Sequence, residues 1–324
     1  MRIVGQIARF LLLMASVSFI VFLLVGSSPI DPVQANIGQA ALSNMSPEKL
    51  AELESYWGTD RPILERYGSW LSSLLQGDAG MSLRFNAPVA EVIAERALNS
   101  LVLLSISWVA SGLLGFALGI VAGANRDSLI DRAVKAYCFV LASSPTFWVA
   151  IIMLVVFSVA LGWFPIGFSA PIGVSAADVS ISDALAHLAL PAITLTIVGI
   201  ANVALHTREK TIDVMESPYM RFALARGESK RGAVLHHGIR NMLIPGMTIQ
   251  FAQIAEIFGG SVLVEQVFSY PGLGQAAVTA GIGGDVALLA GIALVSAALV
   301  FGGNLLANIL YAVVDPRIRR RLAQ

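Results

Sequence analysis

Charged side chains are placed so sparsely along this chain that long stretches carry none. Residues 10–30, 97–125, 136–177, 184–207 and 286–314 are free of Asp, Glu, Lys and Arg. A membrane-crossing helix needs roughly 20 mostly apolar residues, because the hydrocarbon core is ~30 Å thick and each residue rises ~1.5 Å. Every one of these gaps is long enough, and this limits the fold more than any other feature. Composition agrees: 13% of the 324 residues are charged and 56% are hydrophobic. An ordinary soluble domain carries about 25% charge. So high a hydrophobicity excludes disorder. Zero net charge gives no sign of a nucleic-acid binder. Cys138 is the single cysteine, so no disulfide can form within the chain.

The gap 136–177 is broken in its second half by Gly162, Pro165, Gly167, Pro171 and Gly173, which places its span in the first half. A sixth span is expected near 245–267, interrupted by Glu256, with Pro245 opening it. An acid there is costly against lipid and should face protein or water. The first span resembles a signal peptide in its basic start, Arg2 and Arg9. Its apolar run exceeds a typical h-region of roughly 7–15 residues, however, and no clean A-x-A site follows.

Lysine and arginine set the orientation. Sixteen lie at the N-terminus, in the 2–3 and 4–5 loops and at the C-terminus; five lie on the alternating side, and the 3–4 and 5–6 loops have none. The expected fold is therefore all-α and polytopic. It has six transmembrane helices, both termini in the cytoplasm, and 31–96 as an external segment. In that segment Ser46-Pro47 starts one helix. Ile63, Leu64, Tyr67, Leu71, Leu74 and Leu75 mark an amphipathic second one. It serves either as a small cap on the membrane part or as a docking surface. Gly115, Gly119 and Gly123 repeat at a spacing that lets helix backbones approach, within the chain or between subunits.

The loop between spans 4 and 5, residues 208–244, is too long for a turn and too patterned for disorder. Ser217-Pro218 reads as a cap and first position of a short helix that stops at Gly227. Tyr219, Phe222 and Ala223 share a face at i, i+3, i+4. Ser229 offers a second cap. Two short cytoplasmic helices suit docking into a partner's groove or holding to anionic lipid. Gln250, Gln253 and Glu256 form a polar set in span 5. They line a pathway or bond neighbouring helices, with the acid favouring a pathway. Pro271, Gly272 and Gly274 suggest a turn or short re-entrant helix at the external mouth. Gly272-Leu273-Gly274 is no dinucleotide fingerprint, because it follows no βαβ unit. His236 and His237, being adjacent, should point to different sides of a helix, and no carboxylate–histidine cluster suggests a metal site. Cys138 reads as core packing. No nucleophile–base–acid set appears, so catalysis by this chain is not expected.

Several stretches, in order, resemble the permeases of ATP-binding-cassette importers in the dipeptide, oligopeptide and nickel branch. YMRFALARGESKRGAVLHHGIRNMLIP is similar to that family's cytoplasmic "EAA" loop, with Arg221, Ala223 and Gly227 on its motif positions. PIDPV at 29–33, SSPTFW at 143–148, VEQVFSYPGLG at 264–274 and DPRIR at 315–319 match further family segments. Phe222 departs from the small residue usual there, and Glu228 from an apolar or small one. The long external segment resembles that of the first permease of the pair. The resemblance implies one transmembrane domain over 1–324, with a coupling helix near 218–227. Tyr219, Arg221, Phe222, Ala223, Gly227 and Glu228 are then candidates for contact with a cytoplasmic ATPase. It implies a second permease, usually non-identical, two ATPase subunits, an external solute-binding protein and a bacterial inner membrane. ATP and Mg would be used by the ATPase, since this chain has no phosphate-cradling G-x-x-x-x-G-K-[ST] stretch and is expected to bind no cofactor. Short peptides are the first substrate class implied, with nickel complexes, opines or glutathione behind. A secondary transporter driven by an ion gradient is the distant alternative, weakened by a single intramembrane acid and no internal repeat.

Overall fold

A computed structural model describes residues 2–28, 31–38, 42, 44–57, 61–174 and 178–314. In chain order, α1 (Arg2–Gly26), α2 (Pro32–Ile37), α3 (Pro47–Trp57) and α4 (Ile63–Leu75) precede a minimal antiparallel hairpin of β1 (Met81–Ser82) and β2 (Ala87–Pro88). Next come α5 (Val89–Ala124), α6 (Leu129–Ser143) and α7 (Thr146–Met153), the last continuing as a π-helix, Leu154–Ala160. Helix α8 (Ile181–Met215) leads to α9 (Pro218–Ala225) and to α10 (Lys230–Ala233), which widens into a π-helix at Val234–Gly238. The described residues continue through α11 (Ile239–Ala252), α12 (Ile254–Val267), α13 (Leu273–Ile282) and α14 (Val286–Val314).

Among the described residues, four helices are long and apolar enough to cross a membrane: α1 over Gly5–Gly26, α5, α8, and α14 over Val286–Leu305. The third expected span is not a straight helix. It is a pair, Leu129–Ser143 and Thr146–Ala160, bent by 107°. The bend falls at Ser144-Pro145, where Pro145 disfavours a helical Ser144, whose ψ is 129°. The region of the span expected near 245–267 holds α11 and α12, fourteen residues each, joined at Gln253. Pro245 does not open a helix, because α11 begins at Ile239 and runs through it.

The helices group into two compact units, Met1–Ser100 with Pro271–Phe301, and Leu101–Tyr270 with Gly302–Gln324. In the first, helix starts follow the local sequence. The Asp31 carboxylate accepts the Val33 N–H at 2.8 Å ahead of Pro32, and Ser46 Oγ accepts the Lys49 N–H at 3.3 Å. Helix α4 turns Ile63, Tyr67, Trp70, Leu71 and Leu74 onto Phe22 of α1 and onto Val286 and Ala290 of α14. The Tyr67 hydroxyl lies 3.0 Å from Ser18 Oγ. Leu64 and Leu75, counted on the apolar face, stay exposed, whereas Trp70 is buried. This amphipathic stretch therefore packs on α1 and α14. A buried Asp285 organises the hairpin. It accepts from Ser82 Oγ at 2.6 Å, and from the Arg84 and Leu288 N–H groups at 3.1 Å each.

In the second unit the small-residue stripe of α5 packs on α8. A Cβ at Gly119 would meet Thr207 Cβ at 2.6 Å and the Ala204 carbonyl at 2.7 Å; one at Gly123 would meet the Arg208 carbonyl at 2.6 Å. The glycines therefore serve contact within the chain. On another side of α8, Cys138 and Val134 of α6 pack with Ile200, Ala201 and Ala204. A further core joins Leu103, Ala150, Leu190, Leu195, Val264 and Phe268.

Candidate functional site

The short helix α9 follows α8 after only Glu216 and Ser217. Ser217 has the extended backbone of a cap, but its hydroxyl donates back to the Val214 carbonyl at 2.5 Å and caps no N–H. At Ser229 the expected cap is made, its Oγ accepting the Gly232 N–H at 3.1 Å. The helix stops because Gly227 takes φ +87°, a left-handed conformation that suits glycine.

Two faces of α9 differ sharply. Met220 and Ala223 are buried with Val214, Ala233, Val234 and Met242, and Phe116, Ile120 and Ala124 of α5 pack against this core. Tyr219 and Phe222 point outward, 42% and 63% exposed, and Arg221 and Arg226 are exposed beside them. The Arg226 guanidinium sits 5.7 Å from the Phe222 ring centroid. The Tyr219 hydroxyl accepts from Asn241 Nδ2 at 2.8 Å, tying α9 to α11. Of the face read from spacing, Ala223 is therefore an anchor, while Tyr219 and Phe222 are presented. The missed anchor is Met220, which at i, i+3 with Ala223 carried a readable signal.

Glu228 binds both histidines. Its Oε1 lies 3.2 Å from His236 Nδ1 and its Oε2 lies 3.0 Å from His237 Nε2. Adjacent residues of an α-helix diverge by about 100°. The wider turn at Val234–Gly238 reduces that angle, and the two side chains converge. The His236 contact, then the His237 contact, holds the Glu228 carboxyl below its ordinary range.

Of the polar set Gln250, Gln253 and Glu256, Gln250 is engaged with α5. Its Nε2 donates to the Trp108 carbonyl at 2.6 Å, and Trp108 Nε1 donates to the Gln250 carbonyl at 2.9 Å. Gly112 leaves room for this amide, since a Cβ there would lie 2.9 Å from Gln250 Cδ. Gln250 also lines an apolar cleft of about 210 Å³ with Trp108, Phe116, Val203 and Gly246. Gln253 is buried at the joint between α11 and α12, and its Oε1 has no hydrogen-bond partner among the described residues. Glu256 lies on α12, but its side chain is outside the described residues. Gln250 and Gln253 thus share a stretch of chain without touching one group.

At the other candidate region, Gly272 is the N-cap of the short apolar helix α13. The Pro271 carbonyl accepts from Asn99 Nδ2 at 2.9 Å, and the Leu273 N–H donates to Ser100 Oγ at 2.8 Å. Gly274 is buried in α13, whose Leu273, Ala276 and Ala280 pack with Val89, Val92, Leu288 and Ile292.

Comparison with known proteins gives one answer along the chain. Residues 115–320 match the family described as "binding-protein-dependent transport system inner membrane component". Residues 1–104 match the N-terminal region of such membrane components. The oligopeptide transport system permease protein AppB of Bacillus subtilis is 34% identical, covering 94% of this chain and 95% of the relative. A putative peptide transport system permease of Brucella abortus is 33% identical over 98% of both chains. The glutathione transport system permease protein GsiC of Escherichia coli is 33% identical over 94% of both. These matches span the apolar helices, residues 208–244 and residues 31–96 alike, and the chain belongs to the family of binding-protein-dependent transport system inner membrane components, as a multi-pass permease.

Proposed function

We propose that this chain forms half of the translocation pathway of an ATP-driven peptide importer. It would cross a bacterial inner membrane six times with both termini cytoplasmic, and pair with a second permease. An external binding protein would deliver substrate. Two cytoplasmic ATPase subunits would use ATP and Mg; this chain would bind neither. Relatives named for oligopeptides, peptides and glutathione share amide-linked substrates, which supports short peptides as the cargo.

The observation that carries the reading is α9. Its buried face fastens it to the bundle, and its exposed face offers an aromatic pair flanked by two arginines. A helix displayed this way fits a groove with apolar floor and acidic rim. Force on the Tyr219–Phe222 face would move the helices behind Met220 and Ala223 as one body, and alternating access would follow as a rigid-body rearrangement. Residues 31–96 form the external segment in this reading, and 208–244 the coupling loop.

The test is reconstitution of both permeases with the ATPases and binding protein in proteoliposomes. Labelled trialanine should enter only with ATP, and Gly227→Arg, which places a bulky side chain at φ +87°, should abolish ATPase retention in a pull-down or uncouple hydrolysis from import. Import that continues with the ATPase omitted would overturn the reading.

A further inference from the structure

A buried ion pair lies behind the coupling loop and is not used by the docking reading. Asp131, in the first turn of α6, is fully buried. Its carboxylate accepts from Nε of Arg208 and from Nη2 of Arg208 at 2.8 Å, and from the Asp127 N–H at 2.9 Å. Lys135 Nζ lies 3.6 Å away. The Arg208 side chain is only 10% exposed. Its place is two turns before α8 ends at Met215 and α9 begins.

The surroundings show what this pair joins. The core of Met220, Ala223 and Val214 binds α9 to the end of α8. Gly119 and Gly123 bring α5 against α8 at Ala204, Thr207 and Arg208. The Asp131–Arg208 pair adds α6, which then bends through 107° into the next helix. A buried ion pair is a poor stabiliser, because its desolvation offsets most of its attraction. What a two-point guanidinium–carboxylate contact does well is fix orientation. The first turn of α6 is held to α8 in direction as well as in distance, two turns before α8 gives way to α9.

We propose that Asp131 and Arg208 are a positioning pair that makes α6 follow α8 when the coupling helix is displaced, so that motion at α9 reaches the bent α6–α7 pair. The proposal rests on the importer reading for the source of the motion, but its geometric content is separable. A single contact would let α6 swivel, and apolar side chains of equal bulk would let it slide.

The complete importer in proteoliposomes tests this with two variants. Arg208→Lys keeps the charge and loses the fork; Asp131→Leu/Arg208→Met keeps the volume and loses the orientation. Spin labels at Ala136 of α6 and Asp213 of α8, with the buried Cys138 left in place, report the distance between the helices with and without ATP. The unmodified pair should give one narrow distribution in both states. Each variant should broaden it at least twofold and lower trialanine imported per ATP hydrolysed at least fivefold, with the amount of assembled complex retained. Variants that keep the narrow distribution and the same import per ATP overturn the proposal. So does a loss of complex without a change in that ratio, or failure of both variants to assemble, since the pair would then serve folding alone. If the unmodified complex imports nothing, the functional reading fails, and the distance measurement still decides the pair.

Discussion

Gly119→Ala asks how much of the second unit depends on the close approach of α5 to α8. The added methyl would lie 2.6 Å from Thr207 Cβ, 2.7 Å from the Ala204 carbonyl oxygen and 3.0 Å from the Arg208 nitrogen. Carbon atoms rest about 3.5–4.0 Å apart. The methyl therefore demands about 1 Å of retreat, and two of its three neighbours are backbone that cannot rotate away. Overpacking of this kind costs about 1–3 kcal/mol. Relief by helix separation would also loosen the neighbouring contact at Gly123. Gly259→Ala is the matched control, a helical glycine with nothing within 4 Å of its added carbon. It should gain up to about 1 kcal/mol from helix propensity. Thermal unfolding of the purified chain in detergent reads both. At about 2–4 °C per kcal/mol for a body of 150–250 residues, Gly119→Ala should lower Tm by about 2–12 °C. Gly259→Ala should leave it level or slightly raised. A Gly119→Ala protein that melts with the control would refute the backbone-contact account of the glycine stripe.

Asp285→Ala removes the acceptor of Ser82 Oγ and of the Arg84 and Leu288 N–H groups. It should cost about 1–3 kcal/mol for each buried donor left unpaired, read as faster hydrogen exchange at Arg84 and Leu288. The Glu228 carboxyl, held low by His236 first and His237 second, should titrate below an ordinary glutamate by carbon NMR. Its stabilising contribution is present above the unfolded carboxyl pKa and lost as pH falls through the folded one. His236→Ala should raise the midpoint more than His237→Ala. Cys138 has no exposure, so a membrane-permeant maleimide should label it only after denaturation; rapid labelling of the folded chain would contradict the packing of α6 on α8.

Much of the architecture is local information. Charge-free gaps locate α1, α5, α8 and α14, because burying a lone charge in hydrocarbon is costly whatever the helix packs against. Ser46-Pro47 and Ser217-Pro218 place two helix starts, and Gly227 a helix end, because backbone preference at caps depends on the residue itself. Gly162, Gly167 and Gly173 mark the end of the third apolar stretch, all three with positive φ.

Other features depend on neighbours far along the chain. Spacing alone put Ala223 with Tyr219 and Phe222. The core of Met242, Val234 and Phe116 selects which side of that short helix turns inward, and it takes Met220 with Ala223. A π-turn brings His236 and His237 to Glu228 against their expected divergence. Pro145 marks a break, but the size of the bend depends on where α6 and α7 each find their packing on α8. Asp131 and Arg208 are 77 positions apart, and each alone reads as a charge near a span end. Linear pattern determines which segments leave water, since transfer free energy is set residue by residue. Which faces meet, and which buried charges find each other, is decided by shape and partner geometry, which exist only once the helices are packed.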